Sequence, residues 1–282
     1  MKTTLWKQVL LCFTLITYVQ YMHAGDVYTN ESLLKNDSNN ALNFSNTSSS
    51  IPLQVSVQSF SDAYITEHAV LLISIKERNS KTFTLIRKIL LKRRVPAELV
   101  YLAVVESKLK NTATSGAGAA GVWQLMPVTA RTLGLKVDGL RDERRNIYQS
   151  SAAAAQYLNT LYKQFDDWLL VIAAYNCGAG NVYKAIKLSG SREFWKMQLY
   201  LPKETRDHVK RFIATHFFFE GNGSLATLTK KERANYLHSE NEKTIIIAEK
   251  NKTVAANTTV IPIRWVLVVK QEETEWLLEL RN

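Results

Sequence analysis

A mainly α-helical fold is what this chain's patterning predicts, on three observations. Between Phe60 and Arg94 the apolar residues recur at helical spacing, as Ile65, Ala69, Leu72 and Ile73 and again as Phe83, Ile86 and Leu90. Two further stretches, Leu99 to Glu106 and Trp168 to Asn176, are apolar nearly all round, as helices buried on every side are. No alternating strand pattern interrupts them before Gly221; beyond it the β-branched runs Ile245-Ile246-Ile247 and Ile261 to Val269 predict a small strand pair as a C-terminal appendage. With 282 residues, 46% hydrophobic and 22% charged, the chain can bury one sizeable core or two small domains.

Residues 1–24 read as a signal peptide. Lys2 and Lys7 flank a short basic region, and the eleven residues from Val9 to Val19 are mostly apolar. That run is too short for a membrane span of roughly 20 residues and suits a secretory signal cleaved after Ala24. The expected address is the periplasm or cell envelope; an uncleaved signal anchor, the minor alternative, would associate the protein with the membrane. Cys12 lies inside the signal, so Cys177 is left without a partner for an internal disulfide. Processing would lower the formal charge from +11 to +9, a basic balance that suits anionic polymers. No nucleic-acid-binding motif is present, so nucleic acid is not an expected partner. Oligomeric state is not written in the sequence.

Residues 25–58 form an Asn/Ser-rich stretch that could bury no core and read as a disordered linker. Residues 59–220 then carry the helices in order. Two amphipathic helices are split near Asn79-Ser80, and the cluster Lys88, Lys92, Arg93 and Arg94 reads as a solvated face. Pro96 can open the next helix because its missing N–H would be unpaired there anyway. Gly116 to Gly121 formally matches G-x-G-x-x-G, but a helix precedes it and no βαβ unit surrounds it, so no dinucleotide cofactor is expected. A tight backbone loop is the better reading, with Trp123, Gln124 and Met126 on the wall it forms.

A helix opens at Pro127 and closes at Gly134, a charged connection runs from Asp138 to Arg145, and Ser150 or Ser151 can cap a helix bearing Ala154, Leu158, Leu161 and Phe165. Asp166 and Asp167 precede Trp168 directly and read as an N-cap rather than a catalytic pair. Phe217-Phe218-Phe219 reads as a packing segment. The role of residues 221–282 is not legible.

Chemistry concentrates where buried helices end. Glu106 closes one apolar run, and Tyr175 and Asn176 close the other, each just before a glycine-rich turn. An apolar wall and the negative end of a helix dipole both disfavour a charged Glu106. A carboxylic acid kept protonated is what a glycosidic leaving oxygen needs as proton donor. The bland alternative is a last-turn residue facing water. The five histidines are scattered, with neither H-E-x-x-H nor paired-cysteine spacing, so no metal is expected.

Four motifs in order carry a resemblance: Glu106-Ser107; Gly118-Ala119-Ala120-Gly121-Val122-Trp123-Gln124-Leu125-Met126-Pro127; Ala174-Tyr175-Asn176 followed by Gly178 and Gly180; and Glu204-Thr205-Arg206. Residues 90–214 resemble the goose-lysozyme-like catalytic domain of family 1 lytic transglycosylases, closest to the membrane-bound lytic murein transglycosylase D branch. The resemblance implies a lysozyme-like helical domain and a carbon-oxygen lyase that cleaves the MurNAc-β-1,4-GlcNAc bond of peptidoglycan glycan strands. It leaves 1,6-anhydromuramoyl ends.

Glu106 takes the position of the single acid and base. Ser107, Gly121, Gln124, Met126, Tyr175, Asn176 and His208 are the implied substrate-binding residues. His208 departs from the family, which usually has Tyr there, and no LysM pattern follows the domain as it commonly does in the D branch.

The residues agree on one point independently. Ordinary glycosidases use two carboxylates roughly 5–9.5 Å apart, whereas Glu98, on the same predicted helix, lies ~12 Å from Glu106 along the axis. Asp142 or Glu143 could approach in three dimensions. The competing readings are a hydrolytic muramidase on the same fold and a non-catalytic peptidoglycan-binding protein.

Overall fold

The computed structural model describes residues 51–257, 266–272 and 275–281, with side chains described from 51 to 249. The signal peptide and the linker up to residue 50 lie outside the described residues. The described chain is helical apart from one two-stranded ribbon, in agreement with the mainly α expectation. Helix α1 (Val55–Arg78) begins within the stretch that composition assigned to the linker, and the bridge between Ile51 and Gly223 lies further upstream still.

Helix α2 (Ser80–Lys92) follows after a break at Asn79, whose side-chain Nδ2 donates to Ile75 O (2.9 Å) and so satisfies a carbonyl at the end of α1. The predicted Pro96 helix is divided. Pro96 precedes a 3₁₀ turn, Ala97–Leu99, and the α-helix proper, α3, is Val100–Ser107. Helix α4 (Pro127–Thr132) has Pro127 in its first turn, and Gly134 follows at φ +86°.

Helix α5 (Ile147–Phe165) is capped by Asn146, whose side chain accepts from Gln149 N, and not by Ser150 or Ser151. Both serines are buried instead. Helix α6 (Trp168–Cys177) is capped by Asp167, which accepts from Leu169 N and Leu170 N, as the sequence predicts. Helices α7 (Ala179–Ser189), α8 (Phe194–Met197) and α9 (Lys203–Glu220) complete the domain.

The core is centred on α6, whose residues from Trp168 to Ala174 are all buried. Full burial of Leu169, Leu170, Val171 and Ile172 contributes about 1.5–3 kcal/mol each. Helices α5, α7 and α9 pack around it, α1 lies along α9, and α3 packs on α9. Phe217, Phe218 and Phe219 are half-buried against this core, as a packing segment should be.

The isoleucine triplet does not form a strand. It lies within α10 (Lys230–Asn257), where Ile245, Ile246 and Ile247 are each about half exposed, 51%, 62% and 54%. Neighbouring Glu and Lys residues favour helix, and Lys243 pairs with Glu240 one turn away. The strand pair is β1 (Val266–Glu272) with β2 (Glu275–Arg281), antiparallel, Val269 opposite Leu278.

Candidate active site

Glu106 is the penultimate residue of α3. The helix stops one residue later because Lys108 turns left-handed (φ +57°), its N–H closing on Val104 O (2.8 Å), and Leu109 repeats that conformation (φ +58°). Ser107 is buried, and its Oγ lies 2.8 Å from Val122 O and 3.2 Å from Ala103 O. The serine therefore fastens the helix end to the glycine-rich loop.

That loop is held by isolated bridges, Thr114 with Ala120 and Ala120 with Leu125. Gly121 adopts φ +79°, and a Cβ there would meet Arg144 O at 1.8 Å. Only glycine fits both constraints. Gln124 is left-handed as well (φ +45°) and turns its Nε2 back onto Gly121 O (2.9 Å). Trp123 is not on an open wall. It is fully buried, its Nε1 donating to Ser151 Oγ (2.9 Å), so its ring braces the loop against α5 from inside. Met126, 43% exposed, is where the chain leaves the loop for α4.

A residue that local sequence hid organises the loop. The buried Arg144 guanidinium donates to Gly118 O (2.7 Å) and Leu125 O (3.0 Å), and forms a fork with both Asp142 oxygens at 2.8 Å. Arg145 adds bonds to Thr112 O and Thr114 Oγ1, both 2.7 Å. The bond from Arg144 holds the Asp142 carboxyl below the usual carboxylate range against the opposing effect of burial. Glu143 accepts from Lys136 N (2.7 Å). Both acids that could have joined Glu106 are thus engaged in shaping the chain.

Helix α6 delivers the opposite wall. Tyr175 donates its hydroxyl to Trp123 O (2.7 Å), and its ring lies 5.5 Å from that of Tyr157. Burial, then the Glu106 charge, push the Tyr175 phenol well above its ordinary range, so it stays a neutral donor. Asn176 Oδ1 accepts from Thr205 Oγ1 on α9 (2.7 Å), and Gly178 (φ +85°) ends the helix there.

One turn further along α9, His208 Nε2 is 3.0 Å from Glu106 Oε1. Their side chains are 4% and 15% exposed. Glu106, Tyr175, Asn176 and His208 are thus joined through α3, α6 and α9. Ser107, at the end of α3, ties to Glu106's helix the loop that carries Gly121 and Gln124. Thr205 and Tyr157 complete the group; Thr205 stands inside the Glu204-Thr205-Arg206 motif, while Tyr157 and Arg144 carry no local signal. Among the described residues, no group of three His, Cys, Asp or Glu side chains could hold a metal ion.

Residues 84–198 match the transglycosylase SLT domain family, a span that stops short of Thr205 and His208. The chain is 47% identical over 128 residues to the membrane-bound lytic murein transglycosylase D of Escherichia coli, covering 44% of this chain and 28% of that protein. It is 41% identical over 83 residues to the peptidoglycan transglycosylase gp16 of Escherichia phage T7, covering 29% of this chain and 6% of that one. Among solved structures, the 70 kDa soluble lytic transglycosylase of Escherichia coli aligns at 23% identity with a TM-score of 0.45, over 53% of this chain and 26% of the other. The chain thus spans under a third of the length of these relatives. The order of the motifs, their junction at Glu106 and the family match agree that residues 84–198 form a transglycosylase SLT domain.

Proposed function

We propose that this protein is a peptidoglycan lytic transglycosylase that cleaves the MurNAc-β-1,4-GlcNAc bond and leaves 1,6-anhydromuramoyl ends, acting in the periplasm or cell envelope. The observation that carries the reading is the setting of Glu106: a largely buried carboxyl at a helix end, beside the glycine-rich loop, with the three acids that the sequence offered as partners placed elsewhere. Asp142 is forked by Arg144, Glu143 accepts a backbone N–H, and Glu98 sits at the opposite end of α3.

The reaction then needs one acid. Glu106 donates its proton to the glycosidic oxygen as the bond from C1 breaks. The resulting carboxylate takes the proton of the muramoyl C6 hydroxyl while that oxygen closes on C1. No water is consumed. Tyr175 and Asn176 on one side, and the loop bearing Gln124 and Met126 on the other, line the glycan's path. Ser107 and Gly121 hold that loop in place. The net charge, +11 for the full sequence and +9 without residues 1–24, favours an anionic wall.

The test is mass spectrometry of soluble products from purified peptidoglycan. Wild type should release anhydromuramoyl fragments, and Glu106→Gln should reduce their rate by at least about 10³-fold while keeping the helical circular dichroism of the parent. Fragments heavier by one water would establish a hydrolase in its place. Binding to the wall without cleavage would leave the domain a binding module.

A further inference from the structure

We propose that His208 is a positioning residue for Glu106, and that the unit ionising in the reaction is the Glu106–His208 pair. The inference rests on Glu106 being the acid of the proposed lytic reaction. Three observations carry it. Glu106 Oε1 has His208 Nε2 at 3.0 Å, and this is the one hydrogen bond that carboxyl makes among the described residues. The imidazole is 3% exposed on a helix face with Thr205, Val209 and Phe212, all buried, so it cannot swing out to water. Its Nδ1 is buried with no hydrogen-bond partner.

Nδ1 holds an N–H without an acceptor whether the shared proton sits on the ring or on the carboxyl, so burial of charge separates the two arrangements. If the imidazole took it, a cationic N–H at Nδ1 would be buried against no acceptor, beside an ionised carboxylate that is itself mostly desolvated. If the carboxyl keeps it, Glu106 donates to Nε2 and both groups are neutral. The second arrangement is the smaller desolvation cost, and it is the proton donor the leaving oxygen requires.

On α9 Glu204 stands one turn before His208 and Arg211 one turn after, its Nε buried without a partner, and from α3 Tyr101 bonds with Arg87 and Glu220. From α6, Tyr175 is neutral with its hydroxyl spent on Trp123 O, and burial pushes the Cys177 thiol up. On α9 itself Asp207 is paired with Lys203. From α1 Tyr64 meets α9 at Thr215, two turns further on. On the 3₁₀ turn Gln198–Tyr200, Tyr200 is exposed. A single hydrogen bond with a buried ring therefore fixes the direction of the carboxyl.

The full chain tests this by the pH dependence of anhydromuramoyl release. A second proton on the pair places a cation beside the developing positive charge at C1, so wild-type kcat should fall on the acid side. His208→Gln keeps a donor and acceptor but cannot take that proton. It should lower kcat about tenfold with KM within about twofold, and lose the acid limb, while His208→Phe should lower kcat about a hundredfold. A raised KM at unchanged kcat, or a wild-type pH profile in His208→Gln, overturns the proposal.

Nuclear magnetic resonance of the His208 ring tests the pairing without turnover. Glu106→Gln should displace the ring's titration midpoint by about one pH unit or more, because it removes the coupled proton. An unmoved midpoint overturns the pairing. A wild type that cleaves nothing refutes the proposed activity and leaves this ring titration to decide.

Discussion

Gly121 is the residue whose constraint is most nearly absolute. Its φ of +79° already disfavours a side chain, and the atom that a Cβ would strike is a backbone carbonyl, Arg144 O, which no rotamer change can move. Gly121→Ala should lower stability by about 3 kcal/mol, from left-handed strain and overpacking together, read as a fall in the urea midpoint. Glu106 is legible in the sequence because a lone carboxylate ending an apolar run is conspicuous without any knowledge of the fold. Its partner is not. His208 lies 102 residues away, and nothing local says that its ring turns inward to Glu106. Arg144 is hidden for the converse reason: inside the stretch from Asp138 to Arg145, with six charges in eight residues, it reads as solvated, yet it is the buried hub of the loop.

At the scale of elements, one carboxylate starts two helices. Asp167 Oδ1 accepts from Leu169 N at 2.9 Å and Leu170 N at 3.3 Å, while Oδ2 accepts from Lys230 N at 2.6 Å at the start of α10. Asp167→Ala strips the cap and leaves buried N–H groups unpaired, so it should cost about 2–3 kcal/mol in chemical denaturation. Asp167→Asn retains one acceptor oxygen and should recover about half of that loss. The helices themselves are readable wherever period and punctuation agree, as at Asn79 and Asp167. They mislead where two signals compete. Ser150 and Ser151 have the chemistry of a cap, but Asn146 stands one turn earlier and takes the role. Three consecutive isoleucines argue for a strand only while their helix-forming neighbours are left out of the window.

The whole molecule carries an acid sensitivity in its core. His216 packs edge-on against the buried Tyr101 (centroids 5.5 Å apart), which bonds with the partly exposed Arg87 and Glu220. Burial pushes its imidazole down to about 4, only partly opposed by the Glu220 charge. The unfolded chain therefore binds a proton at this site between about pH 6.5 and 4 that the folded chain refuses, and stability falls as pH drops through that window. Between pH 7 and pH 5 the loss should be about 2 kcal/mol. His216→Phe keeps the aromatic contact and should flatten that part of the curve, seen as urea midpoints that converge at the two pH values.

The contact of Gly223 N with Ile51 O, 2.7 Å, has a topological meaning. Entry to the helical domain and exit from it are hydrogen-bonded neighbours, so the path between them is a closed contour with both ends at one point of its rim. Such a body can be spliced into a host chain as a cassette, entering and leaving through a single loop of the host. Its ends can equally be joined and new ones opened at the turn around Leu140, which is 97% exposed, with every helix left whole.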